Sequence, residues 1–421
     1  MSERRERRGK TLRVAIRKFG PFESAIPKQW QSFESVARTG LRLEPVALDL
    51  EPLHRALFVE GGLAAGAYDV AMISTDWLAE ANASQGLADL APYLASSPPE
   101  GYPDAWSESL LRLQRFGDRV LGLPFHDGPE CLIYRRDLFE DEAERARYEE
   151  LYGELLGVPR TWEAFRRVAR YFTRPDEGLY GTVFAGYPDG HNTVYDFCLQ
   201  LWSRGGELFG ANGRMLLDTP TAKEALEYYR SIFHDENAIH PGSARFDSVK
   251  SGLAFAAGEV AMMVNWFGFA AMSETIDESR VKGKTAIAAI PLENGRGISL
   301  SAYWVIGIPA GSPYRDVAWK FLAHCAGREM DQLLTLEGGI GCRKSTWADE
   351  QVNAVIPYYH RLEKLHENTR ELPRMTNWSE LARVIDQLMV DLVQTNESIA
   401  AITDRAQRLA RSVEDGQKAR S

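Results

Sequence analysis

Ser251-Gly-Leu-Ala-Phe-Ala-Ala-Gly-Glu-Val-Ala-Met-Met-Val-Asn-Trp266 holds two periodicities in one short segment. Leu253, Phe255 and Ala256 have the spacing of a helix, Gly258 is free to take the left-handed conformation that stops it, and Val260 to Val264 is an apolar run of strand length. Trp266 falls at the end of that run. Ligands collect at strand ends in sheets flanked by helices, so Trp266 reads as a stacking platform, although a ring at this place serves equally well as core.

The same alternation recurs outward along the chain. Leu12–Arg17 reads as a strand, the loop 19–27 holds Glu23, a helix passes through Trp30 and Phe33 to stop at Gly40, and Leu43–Leu48 is a second strand. Val70–Ile73 reads as a buried parallel strand with Ser74-Thr75-Asp76 at its C-terminal end. Asp127-Gly128-Pro129 is turn chemistry between two strand-like runs, and the first crossing between lobes is placed there. Thr161 caps a helix running to Phe172, Tyr180–Ala185 reads as a short strand, and Gly186-Tyr-Pro-Asp-Gly-His-Asn192 is a loop rich in polar-ligand side chains, or a plain turn. Ala286–Ile290 and Tyr303–Ile308 read as strands, and Ser312 as the cap of a helix containing Trp319, read as packing. Beyond Glu350 the chain reads as nearly all helical, broken at Leu372–Trp378, and its last twenty or so residues read as polar surface.

Composition narrows the function classes. A chain of 421 residues exceeds one ordinary core and suggests two large lobes. With 44% hydrophobic and 26% charged residues it is globular, and no stretch approaches the roughly 18 apolar residues of a membrane span. A net charge of -10 argues against nucleic acid as a partner, despite the basic arm with Arg4, Arg5, Arg7 and Arg8, which reads as a solvated end. The charged run from Thr11 to Arg17 is too poor in apolar residues for a signal-peptide core. Cys131, Cys198, Cys325 and Cys342 form no C-x-x-C and read as free, mostly buried thiols.

Several motifs in order resemble the family 1 extracellular solute-binding proteins of ABC transporters, the group of the maltose-binding and other sugar-binding proteins. They are Tyr68-Asp-Val to Asp76-Trp77, Gly122-Leu-Pro to Tyr134-Arg-Arg-Asp-Leu-Phe, Pro159-Arg-Thr-Trp-Glu, Phe255-Ala-Ala-Gly-Glu-Val-Ala-Met, and Ile308-Pro-Ala-Gly-Ser to Trp319-Lys-Phe. Their order and spacing extend over residues 11 to 410. The resemblance implies an α/β, two-lobed periplasmic-binding-protein fold (type II), with hinge-linked lobes and a ligand cleft. Lobe 1 would be 11–125 and 268–311, and lobe 2 would be 126–267 and 312–421. It further implies a carbohydrate ligand, ABC permease subunits as partners, an extracytoplasmic monomer, and no catalytic residue, cofactor or metal.

In the sugar-binding members carboxylates accept hydrogen bonds from hydroxyls while aromatic rings cover the apolar face of the sugar. The positions carried over are Asp76, Asp127, Tyr187, Asp189, Trp266 and Trp378, with Glu23, Tyr303, Trp304 and Arg343 beside them. Tyr303 and Trp304 are adjacent and cannot both face the cleft from one strand. Gly128 stands where an acidic residue is often found in that family, which leaves fine specificity open.

Other readings compete. A glycosidase could draw two carboxylates from Asp76, Asp127, Glu130 and Asp189, yet such residues serve hydroxyl recognition equally well. Gly338-Gly-Ile-Gly-Cys-Arg-Lys-Ser345 has Arg343 where a phosphate loop needs its last glycine, and reads as a glycine-rich surface loop. An anionic sugar derivative or other polar metabolite held by Arg343 or Arg383, or a cytoplasmic sensor on the same fold, are the alternatives within the binding class.

Overall fold

A computed structural model describes residues 10–293 and 298–418. Arg4, Arg5, Arg7 and Arg8 of the expected basic arm lie outside the described residues. The strands of the two main sheets are β1 (Thr11–Arg17), β2 (Arg42–Leu48), β3 (Val70–Ser74), β4 (Leu123–His126), β5 (Glu130–Arg135), β6 (Met262–Trp266), β7 (Thr285–Ala288) and β8 (Trp304–Gly307). The helices that matter below are α1 (Gly20–Ala37), α2 (Asn192–Ser203), α3 (Pro220–Phe233), α4 (Ser248–Ala256), α5 (Trp378–Gln394) and α6 (Ile399–Lys418).

The chain divides into two compact units, one of residues 1–128, 302–363 and 372–376, the other of 129–301, 364–371 and 377–421. The first crossing falls just after Asp127-Gly128. The rest of the division differs from the expected lobes. Residues 268–301 stay with the second unit because the helix Phe267–Thr275 packs on α4 and β7 pairs with β5. Residues 312–363 stay with the first because the helices Arg315–Cys325 and Arg328–Leu336 pack on α1, where Phe321 meets the rings of Trp30 and Phe33 at 5.1 and 5.5 Å.

In the first unit the sheet order is β2-β1-β3-β8-β4. β1 runs parallel to β2 and β3, and β8 is antiparallel to both of its neighbours. β3 is buried along its whole length, as a strand covered on both faces should be. Ser312 stands three residues before the next helix and accepts from Tyr314 N in the turn that leads into it, rather than from the helix itself. Its hydroxyl donates to Asp69, whose other oxygen accepts from Arg13 N, and the helix that follows starts at Arg315.

The second unit has the antiparallel sheet β6-β5-β7 under helices. Gly258 ends the α4 segment at φ +82°, the conformation its lack of a Cβ permits. Thr161 caps the helix Trp162–Phe172 by accepting from Ala164 N. Among the described residues the expected strand 180–185 makes isolated parallel bridges rather than a continuous ladder, Tyr180 to Val260 and Thr182 to Ile239, with the Gly181 carbonyl accepting from Met262 N.

The C-terminal stretch is not a polar surface tail. α6 is amphipathic and buries Ile402, Ala406 and Ala410, while Gln407 and Glu414 accept from the backbone N–H groups of Leu217 and Met215. Burial of those side chains rewards ordering a helix that its charge alone would not predict. The four cysteines are free and buried.

Candidate functional site

The first unit gathers four of the expected residues at one end of its sheet. Asp76 sits in the turn that ends β3, Trp304 begins β8, Asp127 follows β4, and Glu23 lies in the first turn of α1, which follows β1. The register ties these ends together, since Trp304 pairs with Ser74 on one side and with His126 on the other. Trp304 is half-buried, braced edge-on by Trp77 at 5.7 Å and 88°. An edge-to-face brace fixes a ring while leaving a face open, which is what a stacking platform needs. Glu23 is exposed, whereas Asp76 and Asp127 are buried.

Local hydrogen bonds hold these groups in place. Ser74 Oγ donates to Asp76, and Asp127 N donates to Ile340 O. His126 accepts from Ile340 N on Nδ1 at 2.9 Å, so its ring is neutral, and burial lowers its pKa to about 4 against the opposing pull of Asp127.

Two further candidates of this unit are placed elsewhere. Tyr303 is 1% exposed, and its hydroxyl donates to Leu110 O and Gln114 Oε1. The strand alternation that opens Trp304 closes Tyr303. Arg343 is buried under the ring of Trp106, with Nη1 donating to the carbonyls of Glu100 and Ala326. The glycine-rich segment around it is not a surface loop. Asp331 accepts from Cys342 N, Arg343 N and Thr346 Oγ1, and a side chain on Gly341 would meet the Asp331 carboxylate at 2.3 Å.

In the second unit Trp266 closes β6 and is half-buried. Tyr195 of α2 braces it edge-on at 5.3 Å and 86°. Glu130, the first residue of β5, lies directly opposite Trp266 in the ladder, so the two side chains share a face. Glu130 is buried, its Oε2 has no hydrogen-bond partner, and burial together with the nearby Asp196 holds its carboxyl well above the usual range. Asp196, also on α2, is pushed up to about 7 by burial, although it accepts a hydrogen bond from Tyr229.

The loop before α2 is a built feature rather than a plain turn. Asp189 accepts from the backbone N–H groups of His191 and Asn192, capping the helix. Asp386 of α5 accepts from Gly190 N and Thr193 Oγ1, and burial raises its pKa to about 6. Tyr187, 52% exposed, stands out from this loop. Trp378, at the first position of α5, is 1% exposed and belongs to the core.

Sequence reasoning passed over three residues here. Tyr195 and Asp196 lie inside a helix whose pattern gives no hint of a strand-end neighbour. Glu130 carries a signal, as an acid opening an apolar strand just after a Gly-Pro turn, although that signal fits a catalytic acid as well as a ligand acceptor. Among the described residues, no group of three or more His, Cys, Asp or Glu is placed to hold a metal ion, and no helix is long and apolar enough to cross a membrane.

Two α/β units, each ending a sheet on a braced, half-open tryptophan beside carboxyls, define a small-molecule binding protein. The model of the bacterial extracellular solute-binding protein family matches residues 20–332, and the chain belongs to that family. Among solved structures, T. maritima MalE3 with bound maltose is 22% identical, with a TM-score of 0.84 over 96% of this chain and 99% of that one. An ABC transporter solute-binding protein of Agrobacterium radiobacter K84, in complex with ribitol, is 24% identical with the same TM-score, covering 96% of this chain and 99% of its own. A binding protein of Brucella abortus (strain 2308) is 24% identical over 404 residues, 92% of this chain and 89% of that protein. The shared fold is the two-lobed α/β architecture of the ABC transporter binding proteins.

Proposed function

We propose that this chain is the carbohydrate-binding component of an ABC importer, a monomeric, extracytoplasmic receptor that delivers its ligand to membrane permease subunits and performs no chemistry on it. The observation that carries the reading is Trp266, held edge-on by Tyr195 at the end of β6 with one face left partly open. Such a ring covers the C–H face of a sugar or polyol, and neighbouring carboxyls order its hydroxyls. Trp304, Asp76, Asp127 and Glu23 are the corresponding ligand residues of the first unit, and Tyr187 is an outer ring of the second.

Three of the residues carried over leave the ligand set. Tyr303 and Trp378 serve the core, and Arg343 serves the carbonyls of its own unit, which leaves Arg383 as the arginine that could hold an anionic ligand. Asp189 acts by shaping the loop that presents Tyr187. The bound ligands of the maltose and ribitol complexes fit the proposed substrate class.

A thermal-shift screen of the purified chain against mono- and oligosaccharides, polyols, sugar phosphates and amino acids tests this. A ligand at 100 times its dissociation constant adds about 2.7 kcal/mol of stability. A shift confined to carbohydrates or polyols is expected. A shift from amino acids or anions alone would overturn the reading, as would turnover of a bound glycoside.

A further inference from the structure

The carboxyls of the second unit are more numerous than a neutral sugar requires. Glu130 shares a sheet face with Trp266, is 6% exposed, and keeps Oε2 without a hydrogen-bond partner. Asp196, on α2 one residue after the tyrosine that braces Trp266, acts on Glu130 through its charge while its carboxylate accepts from Tyr229. Among the described residues neither acid forms an ion pair. Glu130 in turn acts on the thiols of Cys131 on β5 and Cys198 on α2; neither these nor Tyr229 on α3 is a cation, and the histidine ring that meets Tyr195, at 5.4 Å, is His191. Arg370 reaches only as far as Cys198 and is itself paired with Glu207.

Two like acids brought together under burial each resist ionisation, a cost that a hydroxyl does little to relieve. A cation relieves it directly. An ammonium group also offers three donors, one of which meets the unpartnered Oε2 of Glu130, and it is attracted to the face of an indole ring. We infer that the face made by Glu130, Asp196, Trp266 and Tyr195 takes a protonated amine carried on a polyhydroxylated ligand, that is, an amino sugar or an amino polyol.

This inference rests on the carbohydrate reading above, and the test separates the two. Titration calorimetry of the full chain compares glucose with glucosamine and sorbitol with 1-amino-1-deoxysorbitol, at a pH where the amines are charged. The aminated member of a pair should bind about tenfold to a hundredfold more tightly than its neutral parent, the range of one charge-assisted hydrogen bond. Glu130→Gln and, independently, Asp196→Asn should bring that ratio close to one, with thermal melts showing that each variant folds. Equal binding of parent and amine, or a ratio untouched by both substitutions, overturns the inference while the carbohydrate reading stands. Silence from every neutral and aminated carbohydrate overturns both.

Discussion

The two sheet ends solve one problem with different materials. Each presents a half-buried tryptophan braced edge-on by a second ring, Trp304 by Trp77 at 88° and Trp266 by Tyr195 at 86°. The acids beside them differ. In the first unit Asp76 and Asp127 occupy turns that leave strands, with Ser74 and Ile340 holding the local geometry. In the second, Glu130 stands on the strand itself, opposite Trp266, and Asp196 comes from the middle of a helix. A stacking ring can be positioned by packing alone, whereas the charge beside it is set by how far its hydrogen bonds are already used.

The sharpest way to break this comparison is to show that a ring assigned to packing is the one that binds. Trp378→Ala should cost about 3–5 kcal/mol of unfolding free energy by denaturant melts, with the ligand affinity of the folded fraction unchanged. The opposite result, full stability with lost affinity, would return Trp378 to the ligand set. Trp266→Ala should do the reverse, weakening binding by about 2–3 kcal/mol, or some 30- to 150-fold by calorimetry, while the melt of the ligand-free protein barely moves. Trp304→Ala should match it if the two platforms are equivalent, and an affinity within twofold of the parent protein would confine recognition to the second unit.

His126 sharpens the comparison from the side of charge. Its native pKa near 4 lies below the ordinary value of 6.5, so between those values the unfolded chain takes up a proton that the native ring refuses. Stability should therefore be intact above pH 6.5 and fall as pH is lowered toward 4, by at most about 1.4 kcal/mol per pH unit. His126→Gln should flatten that part of the pH–stability curve, and an unchanged slope would mean that the ring titrates normally. The smallest effect belongs to Tyr187→Ala, expected to change stability by under about 0.5 kcal/mol because the ring is exposed, with any loss appearing only in affinity.

Much of this architecture was legible in the sequence, for reasons that differ by element. Val70–Ile73 could be recognised as a buried strand because covering both faces leaves no polar position, and Asp76 could be placed at its end because a turn residue follows directly. Trp266 was legible through Gly258, which separates two incompatible periods. The division into units was not, since nothing local in Ala286 to Ile290 says which sheet it will join. Asp196 was hidden because an acid inside a helix reads as a solvated face until the packing of α2 on the sheet is known. The last helix misled for the opposite reason, its many charges outweighing the narrow stripe of Ile402, Ala406 and Ala410.

The position of β8 has a consequence for how the chain is made. It lies between β3 and β4, so the first sheet has a gap until residues 304 to 307 exist, while the strands of the second sheet are all synthesised before them. Synthesis from β4 to β8 spans about 180 residues, roughly ten to thirty-five seconds at ordinary translation rates. During that interval β3 and β4 have open edges, the state in which sheets recruit strands from other chains. The segment that closes the first sheet is thus also the one that covers those edges, which makes the nascent chain, rather than the finished protein, the form most exposed to strand recruitment.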